Sequence, residues 1–75
     1  MDKKAIAYYN IGILDTIFIY DIIYDIDNFV LYKHIRQKRP YKSKIRYDRQ
    51  GNPYFITYGS KYYLSDFLKL EGQGN

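Results

Sequence analysis

The residues best suited to chemistry in this 75-residue chain are positive charges concentrated in one short segment. The stretch KHIRQKRPYKSKIRYDR, residues 33–49, holds eight Lys or Arg residues against Asp48, a net charge of +7. Lys and Arg neutralise phosphates and displace counterions from a nucleic acid, and aromatic side chains beside them can stack on bases. This segment, called the basic segment below, predicts a surface for nucleic acid or for an enzyme bound to nucleic acid.

The same charges have a simpler explanation, because Lys and Arg on loops and strand edges also prevent edge-to-edge aggregation of sheets. If the segment binds a partner, its cations hold phosphates, while two aromatic residues further along the chain stack on bases or fill a pocket. The predicted contact residues are Arg36, Lys38, Arg39, Lys42, Lys44, Arg46, Phe55 and Tyr62.

Signals for catalysis and metal binding are weaker. The expected strand register places Asn10, Asp21 and His34 in one row, and a carboxylate beside an imidazole is the arrangement of a general base. Such a row also stabilises a sheet without any chemistry. Neither a Ser or Cys nucleophile beside His34 nor a glycine-rich phosphate loop accompanies it, and Asp25 and Asp27 lack the spacing of a calcium loop. We therefore expect a non-enzymatic protein without metal, cofactor or small-molecule substrate.

Length and composition predict one small domain over residues 1–71, followed by a flexible tail at 72–75. Seventy-five residues lie near the lower limit for a self-sufficient core, although eleven Tyr and four Phe residues supply large apolar groups. Cysteine is absent, so stability must come from packing, as in a reducing compartment. Asn10 and Asp15 interrupt the apolar stretch 5–20, which argues against a signal peptide or membrane span. The expected location is the cytoplasm, without a membrane partner.

The first half of the chain alternates in a way typical of strands. One face of the pattern is apolar, and the other carries Asp21, Asp25 and Asp27. Two-residue turns at 15–16 and 27–28 then predict a meander of strands at 5–14, 17–26 and 29–36. The alternative is a helix over residues 5–27 in an α+β fold.

The second half predicts strands at 44–48, 53–58 and 61–64, joined by the loop 49–52 and a tight turn at Gly59-Ser60. Ser65 is a suitable N-cap for a short helix over 65–70. On this register Lys44, Arg46, Phe55 and Tyr62 share the face assigned to binding. The predicted fold is mainly β, a small twisted antiparallel sheet or partly open barrel of about six short strands with a short C-terminal helix.

The stretch KIRYDRQGNPYFITYGSKYYLSDFLKL, residues 44–70, resembles a segment of short, mostly uncharacterised open reading frames of phages and prophages of low-GC Gram-positive bacteria. The resemblance covers about a third of the chain. It implies a mobile-element accessory protein, a class that includes inhibitors of host defence nucleases such as anti-CRISPR proteins, modifiers of host replication or transcription, and nucleic-acid binders.

These observations together predict a non-enzymatic accessory protein that inhibits or modulates a host nucleic-acid enzyme by stoichiometric binding in the bacterial cytoplasm. A basic chain suits DNA, RNA or an acidic protein surface as its partner. One alternative is a module that binds single-stranded nucleic acid without sequence preference. Another is a self-associating structural protein, for example a homodimer, in which the basic segment meets residues 1–32, whose net charge is −3.

Overall fold

A computed structural model describes residues 4–70, and most of this part of the chain is β-strand. The strands in chain order are β1 Ala7–Gly12, β2 Asp15–Ile23, β3 Phe29–His34, β4 Tyr41–Lys44, β5 Arg46–Tyr47, β6 Pro53–Thr57, β7 Ser60–Tyr63 and β8 Leu68–Lys69. They form a five-stranded sheet of order β4-β3-β2-β1-β8 and a three-stranded sheet of order β5-β6-β7, with every pairing antiparallel. The predicted mainly β fold is confirmed. The helical alternative for residues 5–27 is wrong, and the tail at 72–75 lies outside the described residues.

The two sheets pack face to face around one core. Their inner faces contribute Ile17, Ile19, Val30, Tyr32 and Phe55, all buried, together with Ala7, Ile45 and Phe67. Ile45 alone separates β4 from β5, so the chain passes from one sheet to the other at a buried residue whose N–H donates to the carbonyl of Asn28 at 2.8 Å. The larger sheet does not close on itself, because β4 and β8 each pair with a single neighbour.

The first two hairpins turn at different positions from those predicted. Gly12 pairs with Asp15, so Ile13 and Leu14 form the first turn, and the second connection is the loop 24–28. The expected turns at 15–16 and 27–28 are wrong. Two irregularities in pairing, between Asn10 and Gly12 and between Ile19 and Asp21, shift the alternation that the prediction assumed to be regular.

The register of the smaller sheet also differs. Thr57 pairs with Ser60, which places Tyr58 and Gly59 at the turn, one residue earlier than predicted. Both residues have positive φ, 53° and 76°, as a type I′ hairpin turn requires. Arg46 pairs with Tyr54, and therefore lies on the face opposite Phe55 rather than beside it.

A short 3₁₀ helix at Leu64–Asp66 replaces the predicted helix over 65–70. Phe67 then enters the core, and β8 pairs with the edge of β1 through Ala7–Lys69 and Tyr8–Leu68. A six-residue helix leaves most of its backbone groups without intrahelical partners, whereas the edge of β1 supplies partners directly. Ser65 does not act as a cap, since no side chain caps this 3₁₀ helix.

Candidate nucleic-acid interface

The five-stranded sheet turns one face toward the core and presents the other, with aromatic and basic side chains, to solvent. In β3 the buried residues Val30, Tyr32 and His34 alternate with partly exposed neighbours. Residues that pair across an antiparallel sheet share a face, and the pairs Tyr8–Phe18, Phe18–Lys33, Leu31–Lys42 and Phe29–Lys44 therefore place their side chains together. We call this surface the outer face: Tyr8, Phe18, Tyr20, Asp21, Ile23, Phe29, Leu31, Lys33, Lys42 and Lys44.

Contacts within the outer face order its rings and cations. Tyr20, the extra residue of the β2 bulge, lies beside Phe18 with ring centroids 6.5 Å apart. Lys42 Nζ lies 5.2 Å from the centroid of the Phe29 ring, within cation–π range. Most of these aromatic and aliphatic side chains are half-buried rather than fully covered. They form a platform on which a planar base can stack.

The cations around this platform remain available for phosphates. Among residues 4–70, the ionisable side chains found in ion-pair range are His34 and Asp15, and this contact involves no Lys or Arg of the basic segment. Lys33 is partly engaged, because its Nζ donates to the backbone carbonyls of His34 at 3.2 Å and Gln37 at 2.9 Å. Asp21 also lies on this side of the sheet, and its carboxylate accepts a hydrogen bond from the N–H of Ile22 at 2.9 Å.

The predicted contact cations fall into three groups. Lys42 and Lys44 are exposed on β4, an edge strand of the outer face. The loop 35–40 carries three more exposed cations, which are Arg36, Lys38 and Arg39. Arg46 is exposed on the solvent side of the smaller sheet. The fold therefore brings Lys42 and Lys44 together with the aromatic platform and leaves Arg46 on a different surface.

The two predicted aromatic contacts belong to the core. Phe55 is 0% exposed, with ring centroids 5.1 Å from Tyr32 and 5.8 Å from Phe67, so its predicted stacking role is wrong. Tyr62 is half-buried and packs edge-on against Tyr9, with centroids 5.8 Å apart. The smaller sheet packs with its Phe55 face toward the larger sheet. This orientation is the reason why both aromatic side chains are covered rather than free to stack on bases.

Sequence reasoning missed the aromatic residues that the structure places beside Lys42 and Lys44. It assigned Phe29, Leu31 and Lys33 to the core face because a two-residue turn at 27–28 would pair them with apolar residues. One signal points the other way, since Lys33 and His34 alternate at the end of β3 and only one of them can face inward. The bulge at Tyr20, which lets Ile22 face the core although Phe18 faces outward, has no marker in the sequence.

The predicted row of Asn10, Asp21 and His34 does not form. Asn10 Oδ1 instead accepts a hydrogen bond from the Thr16 hydroxyl at 2.9 Å, and Asp21 lies on the outer side of the sheet. His34 is 1% exposed between the two sheets, with Nδ1 3.8 Å from Asp15 Oδ1. A substrate in solution has no access to this imidazole.

His34 acts as a polar contact between the sheets. Its Nε2 lies 3.5 Å from Thr57 Oγ1, and the Tyr58 ring packs against the imidazole with centroids 4.0 Å apart. Asp15 Oδ1 and His34 Nδ1 are both buried without a hydrogen-bond partner. In residues 4–70 no three His, Cys, Asp or Glu side chains are grouped closely enough to hold a metal ion.

The smaller sheet is anchored by Asp48. The pKa of its carboxyl lies below the ordinary value of 3.8, chiefly because the backbone N–H of Asn52 donates to it. Burial opposes this shift, while the Asn52 side chain, the N–H of Gln50 and the Tyr63 hydroxyl add to it. The pKa of Tyr63 is raised in turn, first by burial and then by its hydrogen bond to Asp48. These contacts fix the loop 48–52.

A cavity of about 190 Å³ lies beside the core, between β1, β2 and the segment 64–69. Its lining is apolar apart from one lysine and comprises Ile6, Ala7, Ile19, Ile22, Leu64, Phe67 and Lys69. Ligand sites usually combine an apolar wall with several convergent polar groups, which this cavity lacks.

No helix within residues 4–70 has the length and apolar character needed to cross a membrane. Comparison with family models, curated proteins and solved structures finds no match to this chain. The resemblance of residues 44–70 to phage reading frames therefore stays a prediction, and any function has to be argued from the surface of the molecule.

Proposed function

We propose that this protein is a non-enzymatic module that binds single-stranded nucleic acid through the outer face, without strong sequence preference. The observation that carries the proposal is that the partly exposed rings of Phe18, Tyr20 and Phe29 share a face with Lys42 and Lys44, and that Lys42 lies over the Phe29 ring. Stacking needs bases that are free of a partner strand, and every base has a π face. This is why single strands suit the surface better than a duplex.

The size of the sheet sets the expected footprint. A strand spacing of about 4.8 Å gives a five-stranded sheet a width of about 19 Å between its outermost strands. A site of about four nucleotides follows, at the lower end of what single sheet-based domains cover. Lys42, Lys44 and the three cations of the loop 35–40 supply five phosphate contacts if they act together. A plot of the logarithm of the affinity against the logarithm of the salt concentration should then have a slope of about −3.5.

Fluorescence anisotropy of labelled single- and double-stranded oligonucleotides across a salt series tests the proposal. We expect preference for the single strand and the slope given above. The double variant K42E/K44E and the single variant F18A weaken binding. R49E/K61E makes the same change in net charge at exposed positions off the outer face, and so serves as the matched control. Equal losses in K42E/K44E and R49E/K61E would show general attraction of a basic protein, and the outer face would have no special role.

We propose, as a second candidate, stoichiometric inhibition of a host nucleic-acid enzyme, the function expected of a phage-type accessory protein. Its support is the set of exposed cations outside the outer face, at the loop 35–40 and at Arg46, which form no ion pair with another residue of the described range 4–70. Charge reversal in R39E/R46E then abolishes inhibition. The thermal midpoint stays nearly unchanged, because both side chains are exposed. Titration of host nucleases and polymerases with wild type and R39E/R46E checks this, and unfolding of the variant would show that the two arginines are structural.

A further inference from the structure

Large apolar side chains project from the β1–β2 turn. Ile13 is 100% exposed and Leu14 is 76% exposed, and Ile11 beside them at the bulge is 38% exposed. Hairpin tips usually carry Gly, Asn or Asp because those residues accept positive φ. Neither Ile13 nor Leu14 has positive φ, so the conformation of the turn is open to most residues and does not explain two exposed apolar ones.

The basic loop 35–40 begins at the same end of the molecule. Ile17, near the start of β2, pairs with His34 at the end of β3, and the N–H of Ile35 donates to the carbonyl of Thr16 at 2.9 Å. The loop is held in place by the bonds from Lys33 Nζ and by Gln37, whose Nε2 donates to the Tyr58 hydroxyl at 3.3 Å. The β6–β7 turn therefore lies at this end as well.

We call this surface the apolar–basic end: Ile11, Ile13, Leu14, Ile35, Arg36, Lys38, Arg39 and Tyr58, all exposed. Asp15 follows the tip in the sequence, and its Oδ1 atom is buried toward His34. Asp25 and Asp27 lie in the loop 24–28, at the opposite end of β2. Apolar side chains and positive charge are thus concentrated together, and the acidic residue of this sheet at the same end is Asp15, whose side chain is 30% exposed.

We propose that the apolar–basic end docks on an anionic phospholipid surface. Ile13 and Leu14 insert between the headgroups, while Arg36, Lys38 and Arg39 contact the lipid phosphates. A convex tip requires a matching pocket on a protein partner, whereas a bilayer interface accepts it as it is. Tyr58, 69% exposed beside the tip, is a residue type that favours the interface. The expectation of no membrane partner changes because folding brings together a tip and a loop that β2 and β3 separate in sequence.

Co-sedimentation with phosphatidylcholine vesicles, with and without phosphatidylserine, measures the predicted binding. We expect binding to the phosphatidylserine vesicles at low salt and its loss on the neutral ones. Each cation near the surface strengthens binding roughly fivefold, so R36E/R39E weakens it by about 25-fold or more. The neutral variant I13S/L14S loses most of the remaining affinity. Y24S/I26S removes two apolar side chains that are 73% and 96% exposed at the opposite end, and is the matched control.

Every outcome bears on the proposal. Failure of wild type to bind phosphatidylserine vesicles at low salt overturns it, and so does equal loss in I13S/L14S and Y24S/I26S. If I13S/L14S retains vesicle binding and R36E/R39E loses it, the protein adsorbs electrostatically and the tip does not insert, which overturns the insertion of Ile13 and Leu14. If I13S/L14S instead lowers a sedimentation-measured self-association and leaves vesicle binding intact, the tip binds a second copy of the chain and not a membrane.

The docking and the nucleic-acid proposals fail separately. I13S/L14S leaves the net charge and the outer face unchanged, so its oligonucleotide affinity should equal that of wild type. F18A removes a ring from the outer face and should retain wild-type vesicle binding. Far-UV circular dichroism and the thermal midpoint establish that each variant is folded before binding is compared.

Discussion

Replacement of Phe55 by Ala tests which face of β6 lies in the core. Phe55 is 0% exposed, whereas the next residue, Ile56, is 43% exposed on the other face. Truncation of a buried Phe to Ala costs about 3–5 kcal/mol of unfolding free energy. A chain of this length has a total stability of about 4–11 kcal/mol. F55A should therefore remove about half of the stability of the protein or unfold it.

The matched variant I56A should lower the unfolding free energy by less than about 1 kcal/mol, because much of its side chain is already in water. Urea titration followed by circular dichroism gives both values, with F55L as a milder change that should cost less than about 1.5 kcal/mol. If F55A leaves the chain unfolded in water, the losses of unfolding free energy in F55L and I56A can still be compared. A loss in I56A equal to or larger than that in the Phe55 variants would falsify the assignment of the Phe55 face to the core. The sequence-based register, with Phe55 on a binding surface, would then be correct.

The remaining predictions concern the turns and pH. G59A should lower the unfolding free energy by about 1–2 kcal/mol, since a side chain at φ 76° is strained, while G12A, with open space and no positive φ, should be neutral in the same urea titration. D48A should destabilise the protein at pH 7, because a carboxyl whose pKa is lowered on folding contributes stability above its ordinary pKa of 3.8. The difference in stability between D48A and wild type should shrink as the pH falls below that value. Thermal melts at several pH values measure this difference. Tyr63 has the opposite sign, because its raised pKa favours the neutral phenol, so wild type should lose stability as the pH rises above 10, and Y63F should lose less over that interval.

Residue types and alternation along the sequence predict where the strands lie better than they predict which face of each strand is buried. Alternation and residue type predict β-structure over most of residues 7–23, although they misplace the turn, and Gly51 and Gly59 mark connections that the structure places at positive φ. The register was wrong wherever a pairing irregularity intervened, since a shift of one residue moves each following side chain to the other face. Such irregularities depend on which residues the second sheet covers, and that information is not local.

The sequence predicts two of the lysines in the candidate interface but does not identify its aromatic residues. Lys42 and Lys44 were recognised because exposed lysines are visible in any register. The predicted alternation and turns place Phe18 and Phe29 on the apolar face, and they place Phe55 on the opposite face from the core of the smaller sheet. Only the packing of β6 against the inner face of the larger sheet decides between these aromatic residues.

The pairing of β1 with β8 determines when the fold can form during synthesis. Until residues 67–69 leave the ribosome, the core lacks Phe67 and the backbone edge of β1 has no partner. A nascent chain at that stage exposes the edge of a strand that contains Tyr8, Tyr9 and Ile11, a state prone to pairing with other chains. Stable folding must therefore follow translation of this part of the chain. A ribosome stalled before Phe67 should hold a protease-sensitive intermediate, and one stalled on an added C-terminal linker long enough to bring Lys69 out of the exit tunnel should hold a resistant domain.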